Sequence, residues 1–218
     1  MEKSIQLPLS KFSGFESPLS NVRFSTIEKD GKAFNSVEQY FQYYKAEFFG
    51  NKEVAKKIME SSNPMECTRI GAELDKVKAP AKWVDNAEKI MREACYAKFT
   101  QNEPIQRYLF KTTGSYLVFC HPEDYYWGIG LLKADPRSRN PRQWQGKNRL
   151  GEILMGVRDK LMKQPEYAVV AKAAVQQKEE AKRKMQGESS SGGEVSTSTP
   201  EEKKEEPKKR MRKTRTIP

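Results

Sequence analysis

In the run EQYFQYYKAEFF, Glu38, Gln42 and Lys45 stand at i, i+4 and i+7, so on a helix they share one face. Phe41, Tyr44 and Phe48 form a stripe beside them. An acid, an amide and an amine among aromatic rings can move a proton, read a polar group or attack a carbonyl at a pocket wall. The same spacing also fits a surface helix whose Glu38 and Lys45 are simply solvated. A second cluster runs from His121 to Gly130, His-Pro-Glu-Asp-Tyr-Tyr-Trp-Gly-Ile-Gly. Loops of this kind at a strand end carry polar groups to a pocket rim, and glycines allow close backbone approach. The alternative is a turn whose aromatic residues plug the core. A third cluster, Gln145-Gly-Lys-Asn-Arg-Leu-Gly151, stands before a helix. Free N–H groups there, with Lys147 and Arg149 close by, suit a phosphate. It lacks the Walker spacing, and an ordinary N-cap by Asn148 explains it equally well.

Several elements must hold these clusters. Val22–Ile27 and Lys32–Asn35 flank Asp30-Gly31, which reads as a hairpin turn. Ser36 to Gln39 reads as a capping box opening a helix that runs to about Phe48, where Gly50 stops it. Lys52–Ser61, Pro64–Leu74 and Ile105–Phe110 read as shorter helices. Val84–Phe99 is amphipathic, with Ala87, Ile90, Met91, Ala94, Cys95, Ala97 and Lys98 at helical spacing. Tyr116–Cys120 is an apolar strand between Gly114 and Pro122. Arg149–Met162 is the final helix, with Leu150, Ile153, Leu154, Val157 and Leu161 on one face. Two or three strands and about six helices predict a compact, mostly helical α+β domain with a small β-sheet.

The chain has 218 residues, of which 36% are hydrophobic, a low share that implies an unfolded portion. The composition breaks near Lys163. We expect a folded domain over 12–163, a charged helical extension over 164–186, and a disordered tail over 187–218 with a basic cluster at Pro207–Lys213. The formal net charge is +11. The first 163 residues hold 27 basic and 20 acidic side chains, net +7, so both parts are basic. No apolar run reaches the roughly 18–20 residues that span a bilayer, and the start has no apolar secretory region. Three dispersed cysteines argue against a disulfide framework. A single histidine, His121, argues against a His-based zinc site or a Ser-His-Asp triad, and no metal or other cofactor is expected. The basic run after Pro207 predicts nuclear import or contact with nucleic-acid phosphate, with a cytoplasmic location as the alternative.

The clusters, taken with Ser17-Pro-Leu-Ser-Asn21, Arg69-Ile-Gly71, Trp83, Met91 through Phe99 and Leu154 through Arg158, resemble the YbiA-like, or NADAR, family of N-glycosidases over about residues 12–162. The resemblance implies hydrolysis of the bond between ribose and a base-like group. It implies one of two substrate classes: phosphorylated pyrimidine intermediates of riboflavin synthesis, or ADP-ribose on guanine of nucleic acid. Carried over, Glu38, Trp83 and Asp124 are the catalytic and substrate-contacting set, with Lys45 and Asn148 beside them. For such a cleavage we expect Glu38 as general acid/base and Asp124 to orient water or stabilise the cation. Lys45 either pairs with Glu38 or forms a Schiff base. Trp83 stacks on the base, and Asn21, Tyr40, Gln42, Trp127 and Gly128 contact substrate. Arg69, Lys147, Asn148 and Arg149 hold phosphate. This chain departs from the family in two places: Phe119 replaces a common Glu, and His121 a small residue. The basic balance favours a polyanion, hence ADP-ribosylated guanine. The rival from another class is a module that binds ADP-ribose or nucleic acid without turnover.

Overall fold

The structure, a computed structural model, describes residues 7–188. The chain enters through β1 (Leu9–Phe12) and a loop that buries Leu19. It turns at Asp30-Gly31, both in the left-handed region, between the short strands β2 (Ile27–Lys29) and β3 (Lys32–Phe34). The expected first strand, Val22–Ile27, is mostly loop; only its last residue joins β2. Helix α1 (Val37–Phe48) follows at once. Ser36 Oγ caps it by accepting from the Gln39 N–H at 3.1 Å. The return bond of the expected capping box lands one residue early: Gln39 Oε1 accepts from the Asn35 N–H at 2.7 Å. The Gln39 amide also donates to the Ile58 and Ser61 carbonyls, tying α1 to α2 (Lys52–Glu60).

Helix α3 (Pro64–Gly71) then runs into a tight turn of helix at Ala72–Lys76. Helix α4 (Trp83–Gln101) crosses behind α1, and α5 (Glu103–Lys111) leads into β4 (Tyr116–Phe119). Strands β1 and β4 pair in parallel, Leu9 opposite Tyr116 through Phe12 opposite Phe119. The expected small sheet is therefore two separate pairs, β1–β4 and the β2–β3 hairpin. Helix α6 (Arg149–Met162) lies against β4 and α4, its Leu150, Ile153, Leu154, Val157 and Leu161 all buried as its spacing predicts. Each such side chain contributes about 1.5–3 kcal/mol of burial free energy.

Helix α7 (Ala168–Glu188) begins after a short turn at Pro165–Tyr167. Ala171 and Ala174 are buried in the core with Tyr167 and Val170 packed alongside, so its first turns belong to the domain rather than to a solvated rod. The compact unit ends at Ala181, well beyond the expected boundary at 163. The tail expected over 187–218, with its Pro207–Lys213 cluster, lies outside the described residues apart from the end of α7. The described part is an α+β domain dominated by helices.

Candidate functional site

Helices α1, α3 and α4, the loop after β1 and the loop after β4 enclose a cavity of 710 Å³. That size lies within the range of roughly 300–1,000 Å³ typical of small-molecule sites. Glu38, Phe41, Gln42 and Lys45 line it from α1, so the polar face read from the spacing points inward. Thr68 and Met65 come from α3, Trp83, Ala87 and Met91 from α4, and Phe119, His121, Asp124, Tyr126 and Trp127 from β4 and its loop. The walls are aromatic. Trp83 packs among Phe41, Phe48 and Phe49 with centroids 5.2–6.1 Å apart, and Trp127 meets Phe41 edge-on at 5.5 Å.

Glu38 is 9% exposed and forms the polar centre of this wall. Its Oε1 accepts from Gln42 Nε2 at 2.8 Å and from the Thr68 hydroxyl at 2.9 Å. Burial pushes its pKa up. The two donated hydrogen bonds oppose that shift, the nearby negative charge of Asp124 adds to it, and the ammonium of Lys45 opposes it. Lys45 does not hydrogen-bond Glu38. Its Nζ donates to the Gly71 carbonyl at 3.1 Å and to Asp75 at 2.5 Å. Asp124 Oδ1 accepts from the Tyr126 and Trp127 N–H groups at 3.1 and 2.7 Å, which folds the loop around the carboxylate.

Two buried carbonyl oxygens on residues that line the cavity have no hydrogen-bond partner, Asn21 Oδ1 and Gln42 Oε1. Buried acceptors are almost always satisfied, so two without partners in the lining of one cavity are unusual. Each is held in place by its neighbours. The backbone carbonyl of Asn21 accepts from the Glu38 N–H at 3.1 Å, and the preceding Ser20 backbone carbonyl accepts from Lys98 Nζ at 2.8 Å. Lys98 is buried, and burial lowers its pKa to about 7. Gln42 fits only because residue 71 is glycine, since a Cβ there would lie 1.9 Å from Gln42 Oε1.

The phosphate cradle expected before α6 is already occupied by the protein itself. The N–H groups of Lys147, Asn148, Arg149 and Leu150 donate to the carbonyls of Tyr125, Gly128, Tyr126 and Trp127. The approach is so close that a Cβ on Gly146 would come within 2.4 Å of the Gly128 carbonyl oxygen. Asn148 is not a ligand group. It is 1% exposed, accepts from the Phe119 N–H at 2.9 Å and donates to the Leu117 carbonyl at 2.8 Å, bracing β4. Nor does its side chain cap α6; its φ of 55° leaves it in the left-handed region.

Arg149 forks onto both oxygens of Glu88 at 2.7 Å and also meets Glu152. The Arg149 guanidinium holds the Glu88 carboxyl down to about 2, with partial burial opposing and the Tyr126 hydroxyl assisting. Arg69 pairs with Glu66 on the outer side of α3. Tyr40 is buried against Phe34 and Tyr44, away from the cavity. Gly128 shapes the loop without lining the cavity. Lys147 does not line the cavity; its Nζ lies 5.2 Å above the ring of Tyr126, which does. The cavity thus brings together Glu38, Gln42, Lys45, Asn21, Trp83, Asp124 and Trp127. It leaves out Tyr40, Arg69, Gly128, Lys147, Asn148 and Arg149. Thr68 and Asp75 are additions that no local spacing announced.

The NADAR domain model matches residues 3–162. Protein irg-1 of Caenorhabditis elegans is 40% identical over 158 residues, 71% of this chain and 74% of that protein. The N-glycosidase YbiA of Escherichia coli is 33% identical over 142 residues, 65% of this chain and 79% of that one. The NMR structure of E. coli YbiA superposes with a TM-score of 0.58 at 32% identity, covering 72% of this chain and 86% of that one. The family match covers the stretch that builds the cavity, and the chain belongs to the NADAR domain family.

Proposed function

We propose that this N-glycosidase removes ADP-ribose from guanine in nucleic acid. The observation that carries the catalytic reading is Glu38. It is a buried carboxyl at an aromatic wall, its pKa raised, with a second carboxylate, Asp124, close enough to raise it further. Cleavage of the bond from ribose C1′ to the base nitrogen leaves electrons on the base and positive charge on the sugar. Glu38, kept protonated further up the pH scale than an ordinary glutamate, gives its proton to the departing base. Asp124 lies where a carboxylate can stabilise the sugar cation and take a proton from the attacking water. Trp83 and Trp127 offer faces to the base. Lys45, engaged by Asp75, acts through its charge on Glu38 rather than as a nucleophile.

The nucleic-acid branch is supported by charge. The net +11 of the chain attracts a polyanion, and the bulk of the substrate would lie outside the cavity. The 207–213 run fits import into the nucleus. The test incubates the full chain and its Glu38→Gln variant with guanine-ADP-ribosylated single-stranded DNA and, separately, with a phosphorylated ribosylamino-pyrimidine. Release of ADP-ribose by the wild type alone supports the proposal. Cleavage of only the pyrimidine moves the enzyme to metabolite clearance, and turnover by Glu38→Gln removes Glu38 from the mechanism.

A further inference from the structure

Tyr40 belongs to the family motif yet turns away from the cavity. It forms the floor of a second cleft, of 300 Å³, between α4 and α6. The residue is 1% exposed, with its ring packed against Phe34 and Tyr44. Burial raises its pKa, as do the charges of Tyr44, Glu93 and Asp30, so the hydroxyl remains a donor. Lys29, Arg92 and Lys160 stand around it, with Glu93 as the one carboxylate in the lining. Arg92 makes no hydrogen bond or salt bridge among the described residues. Lys160 Nζ lies 4.6 Å above the Tyr96 ring. Asp30, the other acid nearby, accepts from the Tyr44 hydroxyl at 3.1 Å and lies 3.9 Å from Lys29 Nζ, a contact a phosphate would compete with.

Gly156 opens the cleft, and packing does not require it. A Cβ there would meet only the tip of Arg92, at 3.7 Å. The glycine keeps the α6 side of the cleft free of side chain, and a methyl group would fit there without a clash. A cleft of this size is much larger than a bare ion needs and suits a small molecule with an anionic end.

We propose that this cleft binds a phosphate group carried on a nucleotide, its oxygens held by Lys29, Arg92, Lys160 and the Tyr40 hydroxyl. The sugar takes the space left by Ala97 and Gly156. The nucleotide is either free or one unit of a nucleic-acid strand, since both present the same phosphate. The cleft does not share the cavity's lining, so its occupancy is measured independently of turnover.

The test uses the full chain and fluorescence anisotropy, with labelled AMP in one arm and labelled single-stranded DNA of about 12 nucleotides in the other. Arg92→Glu reverses a charge in the cleft, Gly156→Leu fills it, and Gly156→Ala leaves room. Lys57→Glu makes the same charge change on the exposed side of α2. Arg92→Glu and Gly156→Leu are expected to weaken binding about tenfold or more, while Gly156→Ala and Lys57→Glu hold near wild type. Thermal melts show which variants remain folded. Loss in the AMP arm assigns a free nucleotide, and a larger loss in the DNA arm assigns a strand. Absence of binding in both arms overturns the proposal. So does equal loss from Lys57→Glu, or unchanged binding in folded Arg92→Glu and Gly156→Leu. Turnover of the cavity substrate by these variants separates failure here from failure of the glycosidase reading.

Discussion

Gly71→Ala places a methyl group 1.9 Å from Gln42 Oε1 and 2.5 Å from its Cδ. Those atoms end a flexible side chain, so the fold survives and Gln42 swings away. Its Nε2 then leaves Glu38, which it holds at 2.8 Å. Hydrogen bonds to charged groups are worth about 1.5–3 kcal/mol, and this one also sets the carboxyl's position. At the transition state that loss lowers kcat/KM by about 10- to 150-fold. The backbone effect runs the other way, because alanine is favoured over glycine inside a helix by about 1 kcal/mol. Activity should therefore fall while thermal stability holds or rises. The bond from Gln42 also opposes the rise in the Glu38 pKa, so its removal lifts that pKa further. If Glu38 is the proton donor, the alkaline limb of kcat/KM moves to higher pH. The assay is ADP-ribose release followed from about pH 5 to 9 beside a thermal melt. Adding Gln42→Ala should cost little more, since both changes break the same bond. Wild-type kcat/KM with an unmoved alkaline limb in the folded Gly71→Ala protein would refute the reasoning.

Glu38→Gln should abolish turnover and raise stability near neutral pH. The folded Glu38 pKa lies above its unfolded value, so stability falls as pH rises through the folded pKa, and the variant escapes that loss. Its gain in Tm over wild type should therefore vanish in acid, as melts across pH will show. Asn148→Ala leaves the Phe119 N–H and Leu117 carbonyl unpaired and keeps a positive φ, costing about 2–4 kcal/mol in chemical denaturation. Added phosphate should not recover that loss if Asn148 is a brace. Arg149→Met removes the fork onto Glu88, a partly exposed pair worth about 1–2 kcal/mol. Glu88 is depressed in the fold, so its contribution is present above the ordinary glutamate range and disappears as pH falls through about 2. The difference in stability between Arg149→Met and wild type should close over that acid window.

The helices were legible because their signals are local. Ser36, Gly50 and the apolar spacing of α6 each act within a turn or two of chain, and the described bounds follow them. Strand β1 was not legible, since its partner β4 is roughly a hundred residues away and nothing near Leu9 announces the pairing. The inward face of α1 was visible as a line of Glu38, Gln42 and Lys45, but spacing alone could not choose cavity over solvent. The basic residues before α6 misled for a physical reason. A helix start advertises free N–H groups in sequence, and only the fold shows that the 125–128 carbonyls have taken them. Thr68 and Asp75 reach the site from other elements, so their roles depend on tertiary placement. The odd charged residue on the apolar face of α4, Lys98, was the one visible trace of the anchor beneath Asn21.

The parallel pairing of β1 with β4 also sets an order of assembly. As the chain emerges from synthesis, Leu9–Phe12 has no partner until Tyr116–Phe119 has been made, and closing so long a loop costs entropy that only the finished pair and its neighbours repay. Lys11 then locks the junction by donating to the Lys133 carbonyl and the Ser138 hydroxyl, both made later still. One wall of the cavity follows β1 and another follows β4, so the site cannot exist in any shorter nascent chain. Helices α1 to α5 can gather early, but their aromatic faces remain open until that closure. Phe41, Trp83 and their neighbours would be the surface that a chaperone meets during those seconds, and the same surface becomes the substrate wall once the strand is in place.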